Sequence, residues 1–214
     1  MGLRFSYTLL SPIYDALLSR ASQNVRRDSL SRVELAPGKR VLISGIGSGL
    51  DIPLLPTGPE FTGIDLTPAM LRRAAARARE SALNIRLDEG NAMSLPYENE
   101  SYDLVIMHLI LAVVPVPVLA LQEAQRVLRP GGQILVLDKF LRPGQKALFR
   151  RAINPLISRV ATRTDVVFEE LLAQCAELQV LEDTPTRMSN WFRHILLEKS
   201  DKAQTTQTSA GNRA

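Results

Sequence analysis

The sequence predicts an α/β fold built on a mostly parallel sheet, and three observations predict it. A short apolar run, Val41-Leu42-Ile43-Ser44, enters a loop with glycine at every second place, Gly45, Gly47 and Gly49. A second apolar run, Phe61–Ile64, ends on the acidic Asp65. From Val41 to Leu137 strand-like and helix-like patterns alternate, as they do when parallel strands are joined by right-handed crossovers.

The elements follow in order. Residues 3–19 mix apolar and polar positions, with Ile13, Leu17 and Leu18 at helical spacing, Ser11 placed to cap and Pro12 in the first turn. This segment reads either as an amphipathic helix packed on the core or as a lid with Tyr14 and Asp15 facing a ligand. Asn24 to Leu35 reads as a helix with arginines on its outer face, ended by Pro37-Gly38. Beyond the glycine loop, Pro53, Pro56, Gly58 and Pro59 leave room for only a brief crossover helix. Thr67 is placed to cap a helix opened by Pro68, with Met70, Leu71, Ala74, Ala75 and Ala78 on one side. A third strand is expected at Ile85–Leu87, leading into Glu89-Gly90-Asn91-Ala92-Met93.

Tyr102 to Met107 is a buried strand with His108 at its end. Val118 to Leu128 is helical and is stopped by Arg129-Pro130-Gly131-Gly132, after which Gln133–Leu137 is a fifth strand followed by Asp138-Lys139. Residues 141–163 break the alternation, carrying apolar residues at helical spacing among Arg150, Arg151, Arg159 and Arg163. Phe168–Ala176 reads as a helix, Gln179–Leu181 and Trp191–Leu197 as strands, and Ser200–Ala214 as a disordered tail. The expected organisation is a helical lid segment over 1–40, a ligand-binding domain over 41–199 with a basic helical insertion near 141–163, and a tail over 200–214.

Charge narrows the classes of partner. The net charge of +4 is uneven: residues 139–163 hold seven basic residues and no acidic one. A basic stretch on an otherwise acidic body suits either an anionic membrane face or a solvated basic helix that merely closes the site. Nucleic acid is not expected, because no aromatic side chains interleave with the arginines to stack bases. Cys175 is the only cysteine, which excludes an internal disulfide, and with His108 and His194 it cannot make a recognisable zinc cluster, so no metal is expected. A buried, inert thiol is the expectation for Cys175. No apolar run is long enough to span a bilayer, and no secretory signal is apparent, so a cytoplasmic protein, peripheral on the inner membrane face, is expected.

The glycine loop carries the chemistry. Glycine takes positive φ and lets another group approach the backbone closely. A strand, such a loop and a helix form a nucleotide cradle, and Asp65, about 20 positions past its first glycine, is placed to accept hydrogen bonds from ribose hydroxyls. The loop is G-x-G-x-G, with Leu50 at the sixth place, so the straight approach that a pyrophosphate needs is missing. A ligand with ribose and no phosphate fits this better, which points to S-adenosylmethionine (SAM). Ligands of parallel sheets bind beyond the carboxyl ends of the strands, where the loop, Asp65, Asn91, His108 and Asp138 all fall.

These residues resemble the class I SAM-dependent methyltransferases. The resemblance rests on V-L-I-S-G-I-G-S-G (41–49), G-I-D-L-T-P-A-M-L (63–71), G-N-A-M-S-L-P-Y (90–97), S-Y-D-L-V-I (101–106) and R-V-L-R-P-G-G (126–132). It implies a Rossmann-like, seven-stranded, mostly parallel sheet with the last strand antiparallel and helices on both faces. Within the family, L-I-L-A-V-V-P-V-P (109–117) and the pattern from Phe168 to Lys199 resemble small bacterial phosphatidylethanolamine N-methyltransferases, while quinone methyltransferases share the five motifs. The implied function is methylation of a phospholipid head group. The alternatives are a quinone precursor or other small molecule as acceptor, or a SAM-binding module without catalysis.

The motif-matched roles are specific. Gly45, Gly47 and Gly49 cradle the cofactor, Asp65 binds its ribose, Leu66 and Met93 flank its adenine, Asn91 accepts from the adenine amino group, and Ala92 belongs to the same cofactor site. An amine acceptor must lose a proton, and His108, also at the cofactor site, and Tyr14 are the candidate bases. The other reading of His108 is a strand-end histidine bonded to backbone. Asp138 either steers a cationic head group or caps the segment that follows. Two departures from the family pattern stand out: Ile43 occupies a place that is usually acidic and helps to hold the amino acid end of SAM, and Asn91 stands where an aspartate usually meets the adenine amino group.

Overall fold

A computed structural model of the protein describes residues 23–141, 166–186 and 189–201. Tyr14, Asp15, the basic stretch from 142 to 163 and nearly all of the tail lie outside them. The described chain forms one seven-stranded sheet in the order β3-β2-β1-β4-β5-β7-β6. Its strands are β1 (Arg40–Ser44), β2 (Glu60–Asp65), β3 (Ile85–Glu89), β4 (Tyr102–His108), β5 (Leu128–Lys139), β6 (Leu178–Thr186) and β7 (Ser189–Lys199). The first five pair in parallel, and β7 runs antiparallel between β5 and β6. The expected fold class holds, antiparallel last strand included.

Alternation along the strands sends side chains to two cores. On one face Leu42, Ile64, Val105, Met107, Ile134 and Val136 pack with helices α3 (Pro117–Val127) and α4 (Phe168–Leu172). On the other, Val41, Ile43, Phe61, Leu104, Ile106 and Leu135 pack with α1 (residues 23–30) and α2 (Pro68–Glu80). Helices therefore cover both faces. Order reverses between β1 and β4, and sheets of this kind take ligands beyond the strand ends at such a switch point.

Several elements differ from expectation for local reasons. Helix α1 stops at residue 30, not Leu35, because the Ser31 hydroxyl takes the Asp28 carbonyl and the next amides bond three residues back. Its arginines are not all outward: Arg27 is exposed, but Arg26 is buried. The first crossover shrinks to the single 3-10 turn Ile52–Leu54, as the prolines demand. Thr67 sits at the cap position of α2 without a side-chain cap; its amide donates to Asp65 instead. Strand β5 begins at Leu128, so Arg129-Pro130-Gly131-Gly132 is a bulge inside the strand and not a turn before it. Pairing jumps from Tyr102↔Leu128 to Leu104↔Gln133, and Gly131 takes φ +71°. Strand β6 runs on to Thr186, well beyond Leu181, because β7 supplies a partner along its length.

Candidate functional site

The site is assembled where β1, β2, β3, β4 and β5 end. Gly45, Gly47 and Gly49 all take positive φ, at +71°, +57° and +80°, but they are glycine for different reasons. A Cβ on Gly45 would lie 2.5 Å from Ile110 Cδ1, and one on Gly49 would lie 2.9 Å from Ala74 Cα. Those two are fixed by packing, Gly45 against the segment after β4 and Gly49 against α2. A Cβ on Gly47 meets nothing within 4 Å. Gly47 is therefore the place where the bare backbone faces open space, as a cradle for a bound group requires.

Asp65 braces this loop. Its Oδ2 accepts from the Gly47 amide and its Oδ1 from the Thr67 amide, both at 2.9 Å. Burial pushes its carboxyl up against the opposing pull of those bonds. The Thr67 side chain also bonds to it, which leaves the carboxylate one lone pair for a hydroxyl donor. Beside it in the chain Leu66 is 46% exposed, an apolar surface next to the carboxylate. Across the β2–β3 pair, Asn91 Oδ1 accepts from the Met93 amide at 3.0 Å and shapes the turn, so the carbonyl proposed for adenine is already partly engaged. Ala92 is buried and Met93 half-buried. Arg126 of α3 clamps the stretch that follows, donating to the Leu95 and Tyr97 carbonyls, to Asn99 and to Glu123.

His108 ends β4 and is buried. Its partners are side chains, not backbone: Nδ1 lies 2.9 Å from Asp51 Oδ1, and Nε2 lies 3.0 Å from Ser29 Oγ. Arg26 Nη1 donates to both oxygens of Asp51, each at 2.9 Å. Burial raises the Asp51 carboxyl, but Arg26 and His108 together overcome it and hold the group well below the ordinary carboxylate range. Nothing in the sequence reading singled out Asp51, Arg26 or Ser29. The available signal was an acidic residue inside Gly49-Leu50-Asp51-Ile52, immediately past the loop.

Asp138 is wholly buried, and its oxygens accept from the Ala112 and Lys139 amides at 3.0 and 2.8 Å. Desolvation pushes its carboxyl up to about 6. Of the two readings of Asp138, capping the neighbouring backbone is the one this geometry makes. Between β5 and β4, Leu109 takes φ +60° while its amide donates to the Leu137 carbonyl at 2.7 Å. A non-glycine residue held there costs roughly 1–3 kcal/mol, and such strain is a mark of binding sites.

Farther along the same edge, Arg193 packs against Phe140 and Phe168 and pairs with Asp183 and Glu169. Cys175 is buried and its thiol is pushed up to about 11, as an inert thiol should be. Among the described residues no cluster of three histidine, cysteine or acidic side chains could hold a metal.

The open backbone at Gly47, the carboxylate of Asp65 and the exposed Leu66 fit a nucleoside with an aromatic base and a free ribose. Comparison with known proteins agrees. Residues 42–136 match the family model of a methyltransferase domain. The chain is 30% identical over 190 residues to a phosphatidylethanolamine N-methyltransferase of Cereibacter sphaeroides, covering 87% of this chain and 93% of that protein. It is 33% identical over 165 residues to a demethylmenaquinone methyltransferase of Listeria welshimeri, covering 70% of each. The fold matches the crystal structure of the [4+2]-cyclase SpnF with a TM-score of 0.74 at 19% identity, over 92% of this chain and 95% of that one. The sheet order, the cradle and these relatives together establish that this chain belongs to the SAM-dependent methyltransferases.

Proposed function

We propose that the protein methylates the amine of a phospholipid head group, phosphatidylethanolamine, at a membrane surface. The observation that carries this reading is the likeness to the Cereibacter sphaeroides enzyme along almost the whole of both chains. The basic stretch from 139 to 163 supports it, since anionic lipid attracts such segments. No helix among the described residues is long and apolar enough to cross a membrane.

SAM supplies a methyl group on a sulfonium, already a good leaving group. The protein's work is then to bind, orient and exclude water. Gly45, Gly47 and Gly49 shape the cradle, Asp65 holds the sugar, Leu66, Ala92 and Met93 enclose the base, and Asn91 orients it. Alignment of this kind supplies roughly 7–11 kcal/mol in favourable cases. Tyr14 keeps its candidacy as a proton acceptor, on sequence grounds alone.

The test is incubation with labelled SAM and vesicles containing phosphatidylethanolamine. Labelled lipid is expected, and its absence overturns the lipid assignment. The demethylmenaquinone methyltransferase relative favours a second reading, a quinone precursor or other small molecule as acceptor. Turnover of a soluble acceptor without vesicle binding would select it. Tight SAM binding without turnover on either class would select a binding module.

A further inference from the structure

The four groups Arg26, Asp51, His108 and Ser29 form one buried chain from α1 through the end of the glycine loop to the end of β4. Ser29 is fully buried, and Asp51 and His108 are 2% and 5% exposed. Because the Arg26 pair keeps Asp51 ionised, Asp51 can only accept, so the hydrogen in its bond to His108 sits on Nδ1. The remaining nitrogen, Nε2, is the one a base would use. It is covered by the Ser29 hydroxyl, and behind that lies α1. A base must come within hydrogen-bond reach of the proton that it removes. Here a buried side chain occupies that position.

The same contacts show what His108 does hold. Asp51 lies two residues past Gly49, so the Asp51–His108 bond fastens the loop after β1 to the end of β4. The next residue, Leu109, is the strained one, and the residue after it, Ile110, packs on Gly45. Both walls of the cofactor crevice are therefore tied at one point, and Arg26 and Ser29 add α1 to the knot.

We propose that His108 serves the reaction as a positioning residue: with Asp51, Arg26 and Ser29 it fastens the turn after β4 to the glycine loop, and it takes no proton from the methyl acceptor. This rests on the methyltransferase reading of the site, and its first test does not depend on which acceptor is used.

Titrate the full-length protein and its variants with S-adenosylhomocysteine by calorimetry. Binding by the wild type checks the cofactor reading itself; failure there is distinct from failure of the present inference. His108→Ala is expected to weaken binding tenfold or more. His108→Asn, which keeps a side-chain N–H for Asp51, should recover most of that loss. Ser29→Ala, a smaller change that guards against misfolding of the first variant, should weaken binding by about threefold to tenfold. In turnover on phosphatidylethanolamine vesicles, His108→Asn should keep the wild-type shape of the pH–rate profile. The proposal is overturned if both His108 variants bind the product like the wild type while turnover collapses, or if a limb of the profile vanishes in His108→Asn.

Discussion

Substituting alanine separately at Gly47 and Gly49 distinguishes a glycine that faces ligand from one that faces protein. Both positions have left-handed φ, which costs an alanine roughly 1–2 kcal/mol. At Gly47 nothing further is lost on folding, because no atom lies within 4 Å of the new methyl. For a chain of this size each kcal/mol moves Tm by roughly 2–4 °C, so Gly47→Ala should melt about 2–8 °C lower. At Gly49 the methyl meets Ala74 Cα at 2.9 Å and Ile52 Cδ1 at 2.6 Å. Overpacking adds roughly 1–3 kcal/mol, so Gly49→Ala should melt about 4–20 °C lower. Binding should rank the other way. If the Gly47 methyl intrudes on ligand at the same roughly 1–3 kcal/mol, affinity falls about fivefold to 150-fold. Thermal melts and titration with S-adenosylhomocysteine check both orders. Wild-type affinity in Gly47→Ala, or a Gly49→Ala melt no lower than that of Gly47→Ala, would refute the reasoning.

Three further outcomes are expected. Asp65→Ala frees the Gly47 and Thr67 amides and removes the proposed ribose contact, and bonds to a charged group contribute roughly 1.5–3 kcal/mol, so product affinity should fall by at least about tenfold in calorimetry. Asp51→Asn leaves Arg26 buried without a counter-charge and should destabilise by roughly 3–5 kcal/mol, whereas the apolar pair Arg26→Met with Asp51→Leu should recover much of that stability, as denaturant melts would show. The Asp138 carboxyl should titrate near 6 in carbon-detected NMR; because its folded value lies above the unfolded 3.8, the stability it contributes is fully present below about 4 and is lost as pH rises through 6.

The sheet was legible because its signals are local. Apolar runs of strand length, the glycine loop and the acidic end of β2 each lie within a few residues of one another. The extents of β5 and β6 were not, because pairing decides them: Pro130 and Gly131 read as a stop, yet a bulge carries the strand through them. Of the candidate site, the glycine loop and Asp65, which braces it, could be read from spacing. The chain of Arg26, Asp51 and Ser29 could not, since its members stand 25, 57 and 79 residues from their partners. Charges are usually solvated, so adjacent arginines on a helix gave no sign that Arg26 turns inward while Arg27 stays out. The expectation of a backbone partner for His108 failed for the same reason, because both its partners come from other elements. Ile43 explains itself in the fold: it lies in the apolar core and pairs with Ile106, where a carboxylate would have no counter-charge in its own strand pair.

The placement of β7 sets the order in which the molecule can be finished. As the chain leaves the ribosome, β5 emerges with the Leu135–Leu137 edge bare, and β6 follows with no neighbour to join. Only when Phe192 to Glu198 arrives can both flanks be zipped at once, because that segment bonds β5 on one side and β6 on the other. Until then the nascent protein carries two open strand edges, the condition in which chains stick to one another. Chaperone demand during synthesis should therefore fall abruptly with the emergence of that single late segment.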